Sequence, residues 1–162
     1  MILKYLITFL ISMVPVIELR GAIPFGLSQA MGDALPIIPC YIIAVLGNMI
    51  PVPIIFFFAR KLLTWGQDKK IIGGYCSWCI KKGNKASEKL SNKKSVYIGL
   101  MLFVGIPLPG TGAWTGTLAA SFLDLDFKKS SIAIMAGVIL AGIIMGLASL
   151  GIFGAAGAIF SK

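Results

Sequence analysis

The sequence predicts an all-helical domain embedded in a membrane, and three observations carry that prediction. Of the 162 residues, 57% are hydrophobic and 13% are charged, against about 25% charged in a soluble domain. Mean hydropathy is +0.92. Several apolar stretches exceed the ~18–20 residues that cross a bilayer as a helix. Strands are excluded: an open sheet cannot satisfy its backbone in lipid, and no period-two barrel pattern runs through the chain.

Four apolar blocks follow in order. Block one, residues 2–31, is interrupted by VPVIELRGAIPFG, residues 14–26, which sets Glu18 and Arg20 among Pro15, Gly21, Pro24 and Gly26. Block two, residues 35–63, is long and unbroken apart from a kink expected where Asn48 precedes Pro51 and Pro53. A basic segment, about 64–95, then separates two halves. Block three, residues 96–123, is interrupted by IPLPGTGAWTG, residues 106–116, and block four, residues 130–160, is again long. The chain is thus read as one membrane domain, 1–162, with half one about 1–63 and half two about 96–162. Pro15 to Asp33 spans 18 positions and Pro107 to Asp124 spans 17, so the halves repeat in layout though not in residue identity.

Length places both interruptions. Residues 2–14 as helix rise about 20 Å and residues 96–106 about 16 Å, against a hydrocarbon core about 30 Å thick. Each break therefore falls near mid-membrane, in a kinked span or at the tip of a re-entrant hairpin. Charge does not choose between them. Ten basic residues lie from Arg60 to Lys94, opposed by Asp68 and Glu88, and the positive-inside rule assigns that segment to the cytoplasm. Either geometry places twelve basic residues inside and two outside. The segment is suited to anionic headgroups, and nucleic acid is not expected as a partner.

Residues 1–15 have the charge and apolar core of a leader, but no small-residue cleavage site follows, and they are read as part of the membrane domain. Cys76 and Cys79 form a lone C-x-x-C. With no histidine in the chain, they are read as incidental thiols, and neither a metal nor a cofactor is expected.

Short Gly/Pro-interrupted segments in matching positions of two halves point to a transport site at their interface. A charge at the bilayer centre costs about 2.5–3.5 kcal/mol on insertion scales, so Glu18 and Arg20 are the leading candidates. Arg20 is suited to an anion, because its fork donates two hydrogen bonds. Glu18, the one embedded carboxylate, is suited to a proton or a cation. The alternative is an internal Glu18–Arg20 pair that pins the break. In the second break Pro107, Pro109, Gly110, Thr111, Gly112, Trp114 and Thr115 are candidates. Threonines offer hydroxyls, glycines allow close backbone approach, and Trp114 offers packing or a cation–π face. Asn48, Gly21 and Pro24 are secondary. The glycines of block four suit close helix contact and admit a homodimer. No nucleophile–base pair or nucleotide motif argues for an enzyme.

VPVIELRGAIPFG together with GIPLPGTGAWTGTLAA resembles the small multidrug export protein family, which is similar to the broader DedA/VTT (SNARE-associated Golgi protein) superfamily. The resemblance covers nearly the whole chain. It implies an inverted repeat of two re-entrant hairpins, each followed by a long transmembrane helix, in a multi-pass plasma-membrane protein. It also implies a transporter or flippase for an amphipathic anionic substrate such as a polyprenyl lipid phosphate, with proton coupling as an option and with Glu18 and Arg20 as the required charges. The second break departs from the DedA pattern, carrying threonines and Trp114 where those relatives have an arginine. Export of small organic cations, centred on Glu18, and a non-transporting membrane scaffold are the alternatives.

Overall fold

A computed structural model describes residues 2–30, 32–67, 93–108 and 110–160. Cys76, Cys79, Pro109 and most of the basic segment lie outside the described residues. The regular elements among the described residues are all helices, without strands: α1 Ile2–Met13, α2 Glu18–Leu27, α3 Ile37–Met49, α4 Pro51–Gln67, α5 Lys93–Gly105, α6 Ala113–Phe122 and α7 Phe127–Phe160.

Helix α1 is polar on the inside. Lys4, Thr8 and Ser12 recur every four residues and so share one stripe; all three are buried, while Leu3, Leu6 and Leu10 stand more than half exposed. The same inversion holds elsewhere, with Ile54, Phe58, Ile132 and Leu147 exposed and Asn48, Thr117 and Ser130 buried. Such a surface suits a lipid solvent, not water. Ile37–Leu62 and Phe127–Gly151 are each long and apolar enough to cross a bilayer, and the chain is a membrane protein.

The stripe on α1 also closes its hairpin. Lys4 Nζ donates to the carbonyls of Ser28 at 2.6 Å, Asp33 at 2.8 Å and Gly32 at 3.4 Å. These contacts bring the start of α1 beside the end of α2, and they set a cation against the C-cap carbonyl of α2, where the helix dipole favours it, and against two carbonyls of the loop that follows. Ser12 Oγ donates to the Ala44 carbonyl, fastening the tip of α1 to α3.

Helices α5 and α6 are joined at their far ends in a corresponding way. The Asp126 N–H donates to the Tyr97 hydroxyl at 3.3 Å, which brings the start of α5 beside the turn after α6. Asp126 also caps α7, its Oδ1 accepting from the Lys129 N–H at 3.0 Å.

Helices α3 and α4 run almost as one. Ile50 between them keeps helical angles and bonds back to Leu46, and Pro51 opens α4 where a missing N–H is least costly. The end of α4 is fixed to the start of α7 by an Arg60–Asp124 ion pair and by Phe57 packing on Phe127 with ring centroids 4.8 Å apart. Ser121 Oγ reaches the Phe56 carbonyl at 3.1 Å. At the other end, Tyr41 on α3 donates to the Ile139 carbonyl of α7 at 2.9 Å, and Ile37 and Ile38 share a groove with Gly142 and Leu147. The two long helices therefore run in opposite directions. Two of the block-four glycines serve contact within the chain: a Cβ on Gly137 would meet the Met101 carbonyl and Val104 of α5, and one on Gly142 would meet the Tyr41 ring. Leu19, Ile23, Val52, Phe56, Val104, Ile134 and Val138 fill the core between them.

Candidate functional site

The two breaks meet each other. Between α1 and α2 the chain turns through Val14–Ile17, with the Glu18 N–H bonding the Val14 carbonyl at 3.0 Å. The turn holds Val16 at φ 74° and Glu18 at φ 50°. Left-handed backbone at a non-glycine residue costs about 1–3 kcal/mol, and here it turns the Glu18 side chain out of its own hairpin. Between α5 and α6 the same need for positive φ falls on glycines, Gly110 at 81° and Gly112 at 148°.

Glu18 completes the N-terminus of α6. Its Oε2 accepts from the Ala113 N–H at 3.2 Å and its Oε1 from the Trp114 N–H at 3.1 Å. Ala113 and Trp114 open the helix, so these are two of the four N–H groups a helix start leaves unpaired. Gly112, in the cap position, has no side chain to satisfy them. A Cβ there would sit on the Glu18 carboxylate, so the glycine is required both for its φ and for the space. The carboxylate is buried, with 4% exposure, and its charge is placed where the α6 dipole favours an anion.

Arg20 does the opposite at the end of α5. Its guanidinium donates to the carbonyls of Leu108 and, at 3.3 Å, Ile106, and to Thr111 Oγ1 at 2.7 Å. The Thr111 hydroxyl in turn lies 2.9 Å from each of the same two carbonyls. Hairpin two returns the contact once, as Trp114 Nε1 donates to the Met13 carbonyl at the end of α1, 3.2 Å away. Each break is thus capped by side chains from the other (Arg20 and Glu18 one way, Trp114 the other).

Glu18 and Arg20 do not pair with each other. Among the described residues the ion pair is Arg60–Asp124, and the two embedded charges diverge to opposite ends of the second break. The reason lies in the backbone, since the broken helices expose an N-terminus and a C-terminus a few residues apart, and each attracts the charge of opposite sign.

The remaining candidates sort by what they touch. Thr115 Oγ1 donates back to Gly112 at 3.3 Å, and Pro107 forms part of the stretch that presents the two carbonyls. Gly21 lies against Ile17. Pro24, inside α2, has no N–H and leaves the Arg20 carbonyl without its i+4 donor. Asn48 is fully buried, and neither its Oδ1 nor its Nδ2 finds a partner among the described residues. It lies about 17 Å along the helix from Ile37, near the middle of a bilayer core about 30 Å thick. Sequence reasoning missed Lys4, Thr8 and Ser12. Their four-residue spacing was the available signal, and it reads as an inward face only once the outside is lipid.

A family model described as "Putative small multi-drug export protein" matches residues 18–144, from Glu18 through both breaks and into the long last helix. No curated protein and no solved structure matches the chain. With both breaks and most of the chain inside the match, the protein belongs to the small multi-drug export protein family.

Proposed function

We propose that the chain is a multi-pass exporter of the plasma membrane that carries small amphipathic organic cations through the contact between its two breaks, with Glu18 as the proton-exchanging carboxylate. One observation carries the reading: Glu18, buried at the meeting of the hairpins, holds the first turn of α6 through two N–H bonds. The other acids among the described residues, Asp33, Asp124 and Asp126, sit in turns between helices. Hydrogen bonds to an ionised carboxylate are about twice as strong as neutral ones. A proton on Glu18 therefore loosens the contact between hairpins, and a cation drawn to the ionised carboxylate competes with the same N–H groups. Either ligand therefore opens the contact and the empty, ionised carboxylate closes it, so the hairpins part only when a proton or a cation is bound. Asn48 supplies an unpaired amide at about the same depth.

The membrane arrangement we infer is an inverted repeat of two re-entrant hairpins of the DedA type. In its support, hairpin one closes at Lys4 and Ser28 where α3 begins, and hairpin two closes at Tyr97 and Asp126 at the opposite end of the long helices, where α4 ends and α7 begins. The tips touch between them. The side carrying Arg60, Lys94, Lys128 and Lys129 is the cytoplasmic one under the positive-inside rule.

A second reading, movement of an anionic lipid phosphate, is favoured by the partial exposure of Arg20, although its donors face carbonyls and Thr111. One experiment separates the two. Purified protein in liposomes is assayed for ethidium movement driven by a pH gradient and for leaflet exchange of labelled polyprenyl phosphate, each with Glu18→Gln and Arg20→Gln variants shown to be folded. Cation export predicts ethidium movement that Glu18→Gln abolishes. Lipid exchange that needs Arg20 selects the second reading. If neither probe moves through the folded native protein, or if both folded variants match it, both transport readings fail and a scaffold remains.

A further inference from the structure

We infer that the groove between α5 and α7 seats an anionic phospholipid of the leaflet that faces the basic segment. The groove has a volume of about 410 Å³. Lys94 and Lys129 stand at its mouth, Tyr97 lines it next to them, and Ile98, Met101 and Ala136 form its apolar bed. This order matches that of a lipid entering from the interface, with cations and a hydroxyl at the helix starts and hydrocarbon beneath. Both lysines are exposed, and neither forms an ion pair among the described residues. The Asp126 carboxylate, on the adjoining turn, accepts from the Lys129 backbone, and the Tyr97 hydroxyl accepts from the Asp126 N–H, which leaves its own hydrogen to donate.

The mouth decides the occupant. In a bilayer every apolar face is already covered by lipid tails, so the bed alone prefers no partner. Two lysines at the surface favour a headgroup of net negative charge over a zwitterionic one, by on the order of tenfold once the neighbouring carboxylate is counted. The same two charges repel their counterparts on a second copy of this chain. Nothing in this site depends on Glu18 or Arg20, so it stands or falls separately from the transport reading.

The test follows thermal unfolding of the full chain in an uncharged detergent as phosphatidylglycerol, phosphatidylcholine or glycerol phosphate is added. Phosphatidylglycerol should raise the melting temperature at roughly one tenth the concentration phosphatidylcholine needs, and glycerol phosphate, which lacks tails, should leave it unchanged. Lys94→Gln with Lys129→Gln should erase the preference, whereas Lys85→Gln with Lys89→Gln, an equal loss of charge in the basic segment, should keep it. Ala136→Trp, which fills the bed without touching the charges, should also remove the phosphatidylglycerol effect. Equal action of the two lipids on the native chain overturns the inference. So does an effect of glycerol phosphate alone, a preference that survives Ala136→Trp, or a control pair that loses as much as the groove pair.

Discussion

The first break carries two charges and places positive φ on Val16 and Glu18; the second carries no charge and places it on Gly110 and Gly112. The two are complementary because they differ. Hairpin one contributes side chains that reach outward, and hairpin two contributes bare helix ends with room for them. An arginine or glutamate in the second break would have to find its partner on a first break already occupied. The asymmetry makes one contact from two similar layouts.

Changing the receiving side tests this most severely. Gly112→Ala places a methyl on the Glu18 carboxylate and forces φ 148° on a residue with a Cβ. Strain together with displaced charged hydrogen bonds should cost about 3–5 kcal/mol, read as lost thermal stability in detergent. Adding Glu18→Ala should relieve the collision while keeping the strain, so the pair should cost less than the sum of the singles. Strict additivity would mean that the two positions do not meet.

A smaller loss is expected from the donating side. Arg20→Lys keeps the charge, but a compact ammonium cannot bridge Ile106, Leu108 and Thr111 as the planar fork does. About 1–2 kcal/mol should be lost, and Thr111→Val should add little once Arg20 is a lysine. Full stability in Arg20→Lys would show that charge alone serves at the end of α5.

The least effect belongs to the returning contact. Trp114→Phe keeps a ring and removes the bond to the Met13 carbonyl, worth about 1 kcal/mol. A loss as large as that of Gly112→Ala would reverse the ranking and make Trp114 the main tie between the hairpins.

Much of this arrangement was legible in the sequence. Proline and glycine mark both breaks, and the rise per residue places them short of a full crossing. The two long helices follow from hydropathy alone. What Glu18 and Arg20 bind was not legible, because their partners lie some 90 positions away along the chain and spacing carries no information at that range. A guanidinium suits a row of carbonyls as well as a phosphate, so residue type could not distinguish a cap from a clamp. Lys4 resembled the charge of a leader, since a lone lysine beside leucines reads as exposed unless the surroundings are lipid.

The polar stripe of α1 bears on how the protein is made. On its own, α1 would present an ammonium and the Ser12 hydroxyl to hydrocarbon, at a cost of several kcal/mol, whereas Thr8 bonds the Lys4 carbonyl within the helix. The carbonyls that relieve Lys4 belong to Ser28, Gly32 and Asp33, which leave the ribosome later. The Lys4 ammonium is thus satisfied only once the loop after α2 is in place, which ties the stability of the first helix in the bilayer to the arrival of the second.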